Sequence, residues 1–261
     1  MLSDDAVIII PARYASVRFP AKALAMIEGK SLIERVWSTA SRVKGVQGVW
    51  IATDHDKIAH HCHRFTPNVI MTDPGCANGT ERVYQALGKL GQSYGICINF
   101  QGDAPLTPPW VIEALLARFA ADKDCQMVTP ATLLSSEETA QVVASGKGAA
   151  GTVFVTIDAQ GKALYFSRSV IPNPFRLPAR EMHFYRHIGI YAYRRPALQK
   201  WVALPESQLE RSEGLEQLRV LEAGMPMHVA LVDYRGRPEW AVDVPGDVEV
   251  VSGHLQRFGE P

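Results

Sequence analysis

Val7-Ile-Ile-Ile10 runs straight into Pro11-Ala-Arg13-Tyr-Ala-Ser16-Val-Arg18-Phe-Pro20-Ala-Lys22. The first four residues are continuously apolar and β-branched, the pattern of a strand buried on both faces, and Pro11 ends it because proline cannot donate to a sheet ladder. The loop that follows carries Arg13, Arg18 and Lys22, spaced five and four apart, and its prolines rule out a regular helix. In an open α/β sheet, ligands bind beyond the carboxyl ends of the strands. A curled loop at that point can aim three cations at one anion: guanidinium groups grip phosphate oxygens in pairs, and Lys adds a point charge. A solvated basic loop is the plain alternative. Three cations with no carboxylate between Ala6 and Ile27 repel one another, however, which favours an anionic ligand. This loop has neither the P-loop pattern nor G-x-G-x-x-G, so a Walker-type ATPase and a dinucleotide-binding dehydrogenase are not indicated.

Outward from this stretch, short β-branched runs alternate with longer amphipathic ones. Ser31 caps a helix bearing Leu32, Ile33, Val36 and Trp37, and Val49–Ile51 reads as the second strand. Further strands are expected at Val69–Met71, Ile96–Phe100 and Met127–Val128, with helices near Asn78–Leu90 and Pro108–Phe119 between them. This is the signature of βα units around a mostly parallel, Rossmann-like sheet. After the loop Ser145–Gly151 the pattern changes to adjoining strands, Val153–Ile157 and Ala163–Phe166, across the turn at 158–161. A strand His187–Tyr193 and two helices follow before the sheet resumes near Met227–Val232. One domain over 1–261 is expected, with a smaller strand-rich lobe at 151–194 that forms sugar-binding and dimer surface.

The 261 residues are 47% hydrophobic and 21% charged, enough for a sizeable core. Lys+Arg and Asp+Glu both number 27, so no overall basic field exists and general nucleic-acid binding is disfavoured. The acidic start Met1–Asp5 and the brief apolar run after it suit neither a signal peptide nor a membrane span, so a cytoplasmic protein is expected. Cys62, Cys76, Cys97 and Cys125 form no C-x-x-C pair, and free thiols are expected. His55, His60, His61, Cys62 and His63 suggest a metal cluster, yet only His60 and His63 share a helical face, so a solvated helix is the simpler reading.

Two further constellations carry chemistry. Gln101-Gly-Asp103 and Val242-Asp243-Val-Pro245 place aspartates at strand ends, and Mg²⁺ is held by one or two carboxylates plus substrate phosphates. Asp103 is equally suited to an Asx-turn before Pro105, and Asp243 to a helix cap near Pro245. The second constellation comprises Arg168, the strand 187–193 and the segment 210–219. A period of two puts His187, Gly189, Tyr191 and Tyr193 on one face, which suits either a pocket for a carboxylate and hydroxyls or a half-exposed sheet face. Ser207 and Glu210 have capping-box spacing, and a helix is expected from there towards Gly224, with Leu215, Leu218 and Leu221 buried and Glu216 and Gln217 beside them.

Together these segments resemble the 3-deoxy-manno-octulosonate cytidylyltransferases, or CMP-Kdo synthetases. The resemblance rests on IIIPARYASVRFPAKAL, ATDHDKIA at Ala52–Ala59, NGTERV at Asn78–Val83, QGDAPL at Gln101–Leu106, ALYFSRSVIP at Ala163–Pro172, YRHIGIYAYR at Tyr185–Arg194, LEQLRVLEAG at Leu215–Gly224 and VDVPGD at Val242–Asp247. It implies a soluble, homodimeric enzyme that takes CTP and Kdo and uses Mg²⁺. Carried over by position, Arg13, Arg18, Lys22 and Asp103 would be catalytic, and Pro11, Ala12, Arg13, Ser16, Arg18, Lys22 and Gln101 would hold the nucleotide. Asp103 and Asp243 would hold Mg²⁺, while Arg82, Gln101, Arg168, His187, Tyr191, Glu216 and Gln217 would face the sugar acid. The chain departs from the family pattern at Ala104 (usually Glu), Phe154 (usually Lys), Val244 (usually Thr) and Gly246 (usually Glu). These departures leave open another acidic sugar, an amino-Kdo or a nonulosonate, or a weakened relative that binds without turnover.

Overall fold

The apolar run at the start forms β1 (Ala6–Ala12), buried at every position and continuing one residue past Pro11 rather than ending there. In chain order the computed structural model then has β2 (Met26–Ile27), β3 (Lys30–Ser31), β4 (Gly48–Thr53), β5 (Val69–Met71) and β6 (Ile96–Asn99). After these come β7 (Met127–Leu133), β8 (Phe154–Ile157), β9 (Ala163–Ser167), β10 (Tyr185–His187), β11 (Tyr191–Arg194) and β12 (His228–Leu231). The helices are α1 (Leu32–Ala40), α2 (Asp56–Cys62), α3 (Gly79–Lys89), α4 (Pro109–Ala121), α5 (Ser136–Ser145), α6 (Arg195–Ala203), α7 (Gln208–Glu213), α8 (Leu218–Glu222) and α9 (Asp247–Phe258). The structure describes residues 5–16, 18–149, 151–175 and 178–261; most of the acidic start, Val17 of the cationic loop and Ala150 of the 145–151 loop lie outside them.

A mixed sheet of order β5-β4-β1-β6-β11-β7-β10-β8-β9, with β12 beside β7, forms the centre. Its first half is parallel: β1 lies between β4 and β6, with Ile8 opposite Val49 and Ile98. Alternation along β1 splits the core in two. Ile8 and Ile10 meet Ile33 and Val36 of α1 and Leu115 of α4, whereas Val7 and Ile9 face Val83 and Leu87 of α3 and Leu198 of α6. Helices on both faces explain why the strand reads as an unbroken apolar run. The caps follow the sequence: Ser31 Oγ accepts from Glu34 N–H at α1, and Asn78 Oδ1 accepts from Glu81 N–H at α3. All four strands between 151 and 194 belong to this same sheet, as its antiparallel end. No helix among the described residues is long and apolar enough to cross a membrane.

Two expectations need correction. The strand expected at 187–193 is two strands, and the break falls where Thr129 Oγ1 lies 3.2 Å and 2.8 Å from the carbonyl oxygens of Ile188 and Ile190, so a hydroxyl replaces ladder partners. Its polar-aromatic face is not half-exposed: His187 and Tyr191 are buried, and Tyr191 and Tyr193 pack against Trp201 at ring distances of 5.5 and 5.2 Å. The helix expected beyond Ser207 is likewise two short ones. The capping box of Ser207 and Glu210 forms as expected, but Gly214, at φ 64, terminates α7 in the left-handed conformation that glycine adopts without steric cost. Arg219 of α8 then reaches back, placing Nε 2.6 Å and Nη2 2.5 Å from the two Glu210 carboxylate oxygens and fastening the two helices together.

Candidate active site

The cationic loop curls because Tyr14 O accepts from both Ser16 N–H (3.1 Å) and Ala21 N–H (3.0 Å). Ala21 sits at φ 55, and the chain re-enters regular structure as a single 3₁₀ turn, Lys22–Leu24. From outside, Asp54 at the end of β4 braces this loop: Oδ1 accepts Tyr14 N–H at 3.1 Å and Oδ2 takes Arg82 Nη2 at 2.9 Å. The Tyr14 ring stacks on His55 at 3.9 Å. Arg82 and Asp54 are both nearly buried, and Arg82 Nη1 also donates to Thr72 Oγ1 at 2.6 Å. Removing one partner of a buried pair strands the other charge. Asp54→Ala should therefore lower stability by about 2 kcal/mol, below the roughly 3–5 kcal/mol of fully buried pairs because Arg82 borders the cleft and keeps Thr72. Urea unfolding monitored by tryptophan fluorescence checks this; an unchanged midpoint would show the brace to be dispensable.

The loop turns Lys22 inward onto residues more than eighty positions away. Its Nζ lies 2.6 Å from Asp103 Oδ2, 2.9 Å from Val242 O and 3.6 Å from Asp243 Oδ1. Arg18 Nη2 reaches Asp243 Oδ1 at 3.0 Å, and Val242 N–H donates to Asp103 O at 2.8 Å. The cationic loop, the Asp103 loop and the Asp243 loop thus meet at one point. Gly102 permits the approach, since a Cβ there would lie 2.7 Å from Pro11 O. The carboxylate of Asp103 is engaged by Lys22, and Asp243 does not cap α9, whose N-cap is Gly246 with no side-chain hydrogen bond.

A cleft of about 350 Å3 opens at this meeting point. Among the expected site residues, Pro11, Ala12, Arg13, Ser16, Arg18, Lys22, Arg82, Gln101, Asp103, Glu216 and Asp243 line it, and Arg168, His187, Tyr191 and Gln217 do not. Cys76, Ala77, Asn78 and Gly79 also line it, which brings the N-terminal end of α3 to the cleft. That contribution was visible in the sequence as the Asn78 cap, because a capped helix start presents free backbone N–H groups to an anion. Glu216 accepts from Thr80 Oγ1 at 3.0 Å, and its burial raises the carboxyl above its usual range. Behind it, Tyr191 O–H donates to Gln217 Oε1 at 3.0 Å, while Gln217 Nε2 is buried without a partner among the described residues. Arg168 is held at the surface by Glu213 and Gly214: its N–H meets Glu213 Oε2, and its guanidinium donates to the carbonyl oxygens of both residues.

His187 Nε2 lies 2.8 Å from Thr129 Oγ1. The Thr129 hydroxyl hydrogen serves the Ile190 and Ile188 carbonyl oxygens, which leaves the His187 ring nitrogen as the donor to Thr129 Oγ1. Burial pulls this imidazole from its ordinary 6.5 down to about 3. Between those values the unfolded chain binds a proton that the folded chain refuses, so this contribution is complete above about pH 6.5 and is lost as pH falls toward 3. Urea midpoints at about pH 7 and about pH 5 should differ by up to roughly 2 kcal/mol, and His187→Gln should flatten the difference.

The histidines near α2 serve other ends. His55 Nδ1 accepts Lys57 N–H at the start of the helix, and His61 Nε2 lies 2.8 Å from Ser31 Oγ. No group of three or more His, Cys, Asp or Glu side chains arranged to hold a metal occurs among the described residues. The pair Asp103 and Asp243 does fit Mg²⁺, which takes few protein carboxylates and completes its shell with phosphate and water. Of the four departures, Phe154 is fully buried against Phe184 and does not line the cleft, whereas Ala104 adjoins Asp103, and Val244 and Gly246 follow Asp243.

A cationic loop at the end of the first strand that meets two aspartates at the mouth of a cleft suits a nucleotidyltransferase, and the cytidylyltransferase family matches residues 7–228. The 3-deoxy-manno-octulosonate cytidylyltransferase of Maricaulis maris is 46% identical over 97% of each chain. The enzyme of the same name from Myxococcus xanthus is 39% identical over 99% of this chain and 100% of its own. A solved CMP:2-keto-3-deoxy-manno-octonic acid synthetase complexed with CTP is 37% identical, covers 97% of this chain and 99% of its own, and superposes with a TM-score of 0.85. The chain belongs to the 3-deoxy-manno-octulosonate cytidylyltransferase family.

Proposed function

We propose that this chain transfers cytidylate from CTP to Kdo and releases pyrophosphate. The observation that carries the reading is the convergence of Lys22 and Arg18 on Asp103 and Asp243 at the mouth of one cleft. A hydroxyl of the sugar acid attacks the α-phosphorus; the new oxygen–phosphorus bond forms as the bond to the β-phosphate oxygen breaks. Such transfers depend on positioning and on stabilising charge, and need no covalent enzyme intermediate. Arg13, Arg18 and Lys22 bind the phosphates, and Lys22 and Arg18 give up part of their contact with the aspartates to do so. The N-terminal end of α3 adds fixed positive potential. Mg²⁺ held by Asp103, Asp243 and the phosphates would neutralise phosphate charge and acidify the attacking hydroxyl.

Gln101 and Glu216 border the sugar acid, with Tyr191, Gln217 and His187 behind them, and Arg168 and Arg82 at the flanks. Glu216 supports this half of the reading, since it lines the cleft and its carboxyl oxygens can accept from a sugar hydroxyl. Homodimer assembly belongs to the same proposal and is tested by light scattering. Pyrophosphate release with CTP and Mg²⁺ across a panel of sugar acids tests the activity. Kdo should be the best acceptor; tight CTP binding with no release on any acid would refute the transferase reading.

A further inference from the structure

Asp243 reaches the cleft from an irregular segment, with neither strand nor helix between Trp240 and Gly246. A carboxylate on such a segment points consistently only if the peptide units on both sides of its Cα are held. Asp247 holds both: its Oδ2 accepts Asp243 N–H at 2.7 Å and Val244 N–H at 2.8 Å. The unit before Asp243 is fixed at its other end as well, where Val242 O accepts Lys22 Nζ at 2.9 Å. The remaining oxygen of Asp247 is anchored outside the cleft, with Oδ1 accepting Trp240 Nε1–H at 3.0 Å. Asp247 is the first residue of α9 and does not line the cleft.

We infer that Asp247 is a positioning residue for Asp243: by gripping the N–H groups on both sides of the Asp243 Cα it fixes that residue's backbone angles and the direction of its carboxylate. The inference rests on the proposed role of Asp243 at the phosphate and metal end of the cleft. Partners that orient a metal-binding carboxylate typically change metal affinity or activity by about tenfold to a hundredfold when removed. A residue that merely started α9 would change thermal stability instead.

The test is calorimetric titration of Mn²⁺ into the full chain with saturating CTP, alongside melting temperature and the divalent-ion dependence of pyrophosphate release. Asp247→Ala should weaken Mn²⁺ binding by about tenfold or more and shift half-saturation of activity in parallel, while KM for the sugar acid stays near wild type. Asp247→Asn should fall between, because its one carbonyl oxygen can take both N–H groups but its amide then meets the Trp240 indole donor to donor. Should Asp247→Ala fail to fold, Asp247→Asn carries the same measurement. Wild-type Mn²⁺ affinity in the folded variants would overturn the inference. A wild-type chain that binds no Mn²⁺ in the presence of CTP would overturn the assignment of Asp243 itself.

Discussion

Asp103→Asn will leave a folded protein with turnover reduced about a thousandfold, roughly 4 kcal/mol in the barrier. Asp103 is partly exposed and, among the described residues, its carboxylate hydrogen-bonds only Lys22, so replacing it disturbs no core. Partly exposed pairs of this kind contribute about 1 kcal/mol or less to stability. Asparagine keeps the shape and one oxygen but removes the charge that neutralises a divalent ion and Lys22. The loss should appear in kcat rather than in KM for CTP, because the contribution grows as charge moves onto the departing pyrophosphate. Steady-state pyrophosphate release and a melting curve on the same preparation check both halves. A variant within threefold of wild type would remove Asp103 from the chemistry.

Lys22→Ala should cost about 3 kcal/mol in the barrier, near a hundredfold in rate, the scale for deleting one preorganised charge from a phosphoryl-transfer site. This residue also predicts something that a simple phosphate ligand would not. Its ammonium lies 2.6 Å from Asp103 and 3.6 Å from Asp243, so it offsets charge on both carboxylates, sharing Asp243 with Arg18. Without it, the two aspartates repel each other and attract a divalent ion more strongly. Lys22→Ala should therefore bind Mn²⁺ several-fold more tightly than wild type in the absence of CTP while turning over more slowly. Opposite changes in metal binding and rate identify Lys22 as the charge that CTP must draw away; parallel changes would not. Lys22→Arg should recover little, since a planar fork cannot replace a compact ammonium in this gap.

The parallel half of the sheet was legible because its signals are local. A strand buried on both faces is a continuous apolar run, and the Ser31 and Asn78 caps announce α1 and α3. The cationic loop was equally legible as three cations with no carboxylate in the same segment, although the sequence did not reveal that Asp103 and Asp243 pair with Lys22 and Arg18. The antiparallel half was harder. Period-two alternation joined Tyr185–His187 to Tyr191–Arg194 because nothing in Ile188-Gly189-Ile190 reveals that the Thr129 hydroxyl would donate to their carbonyl oxygens. That contact is 61 positions away in sequence, beyond any local pattern. Gly214 was a local signal that the leucine spacing around it outweighed, although its left-handed backbone is what a helix end requires. At the site, the two aspartates had adequate local alternatives as turn and cap, and only tertiary structure shows that Asp243 does not cap α9, which starts after Gly246 with no side-chain cap. Asp54 and Asp247 could not have been found by spacing, because each acts through the backbone of another segment.

A crystal structure of this chain with CTP and Mg²⁺ tests the central claim most directly. The triphosphate should lie against Arg13, Arg18 and Lys22, with the ion touching both Asp103 and Asp243 and the Lys22 ammonium shifted from the aspartates toward a phosphate oxygen. A nucleotide seated elsewhere, or an ion that leaves both aspartates paired to Lys22 and Arg18 as they are now, would contradict it.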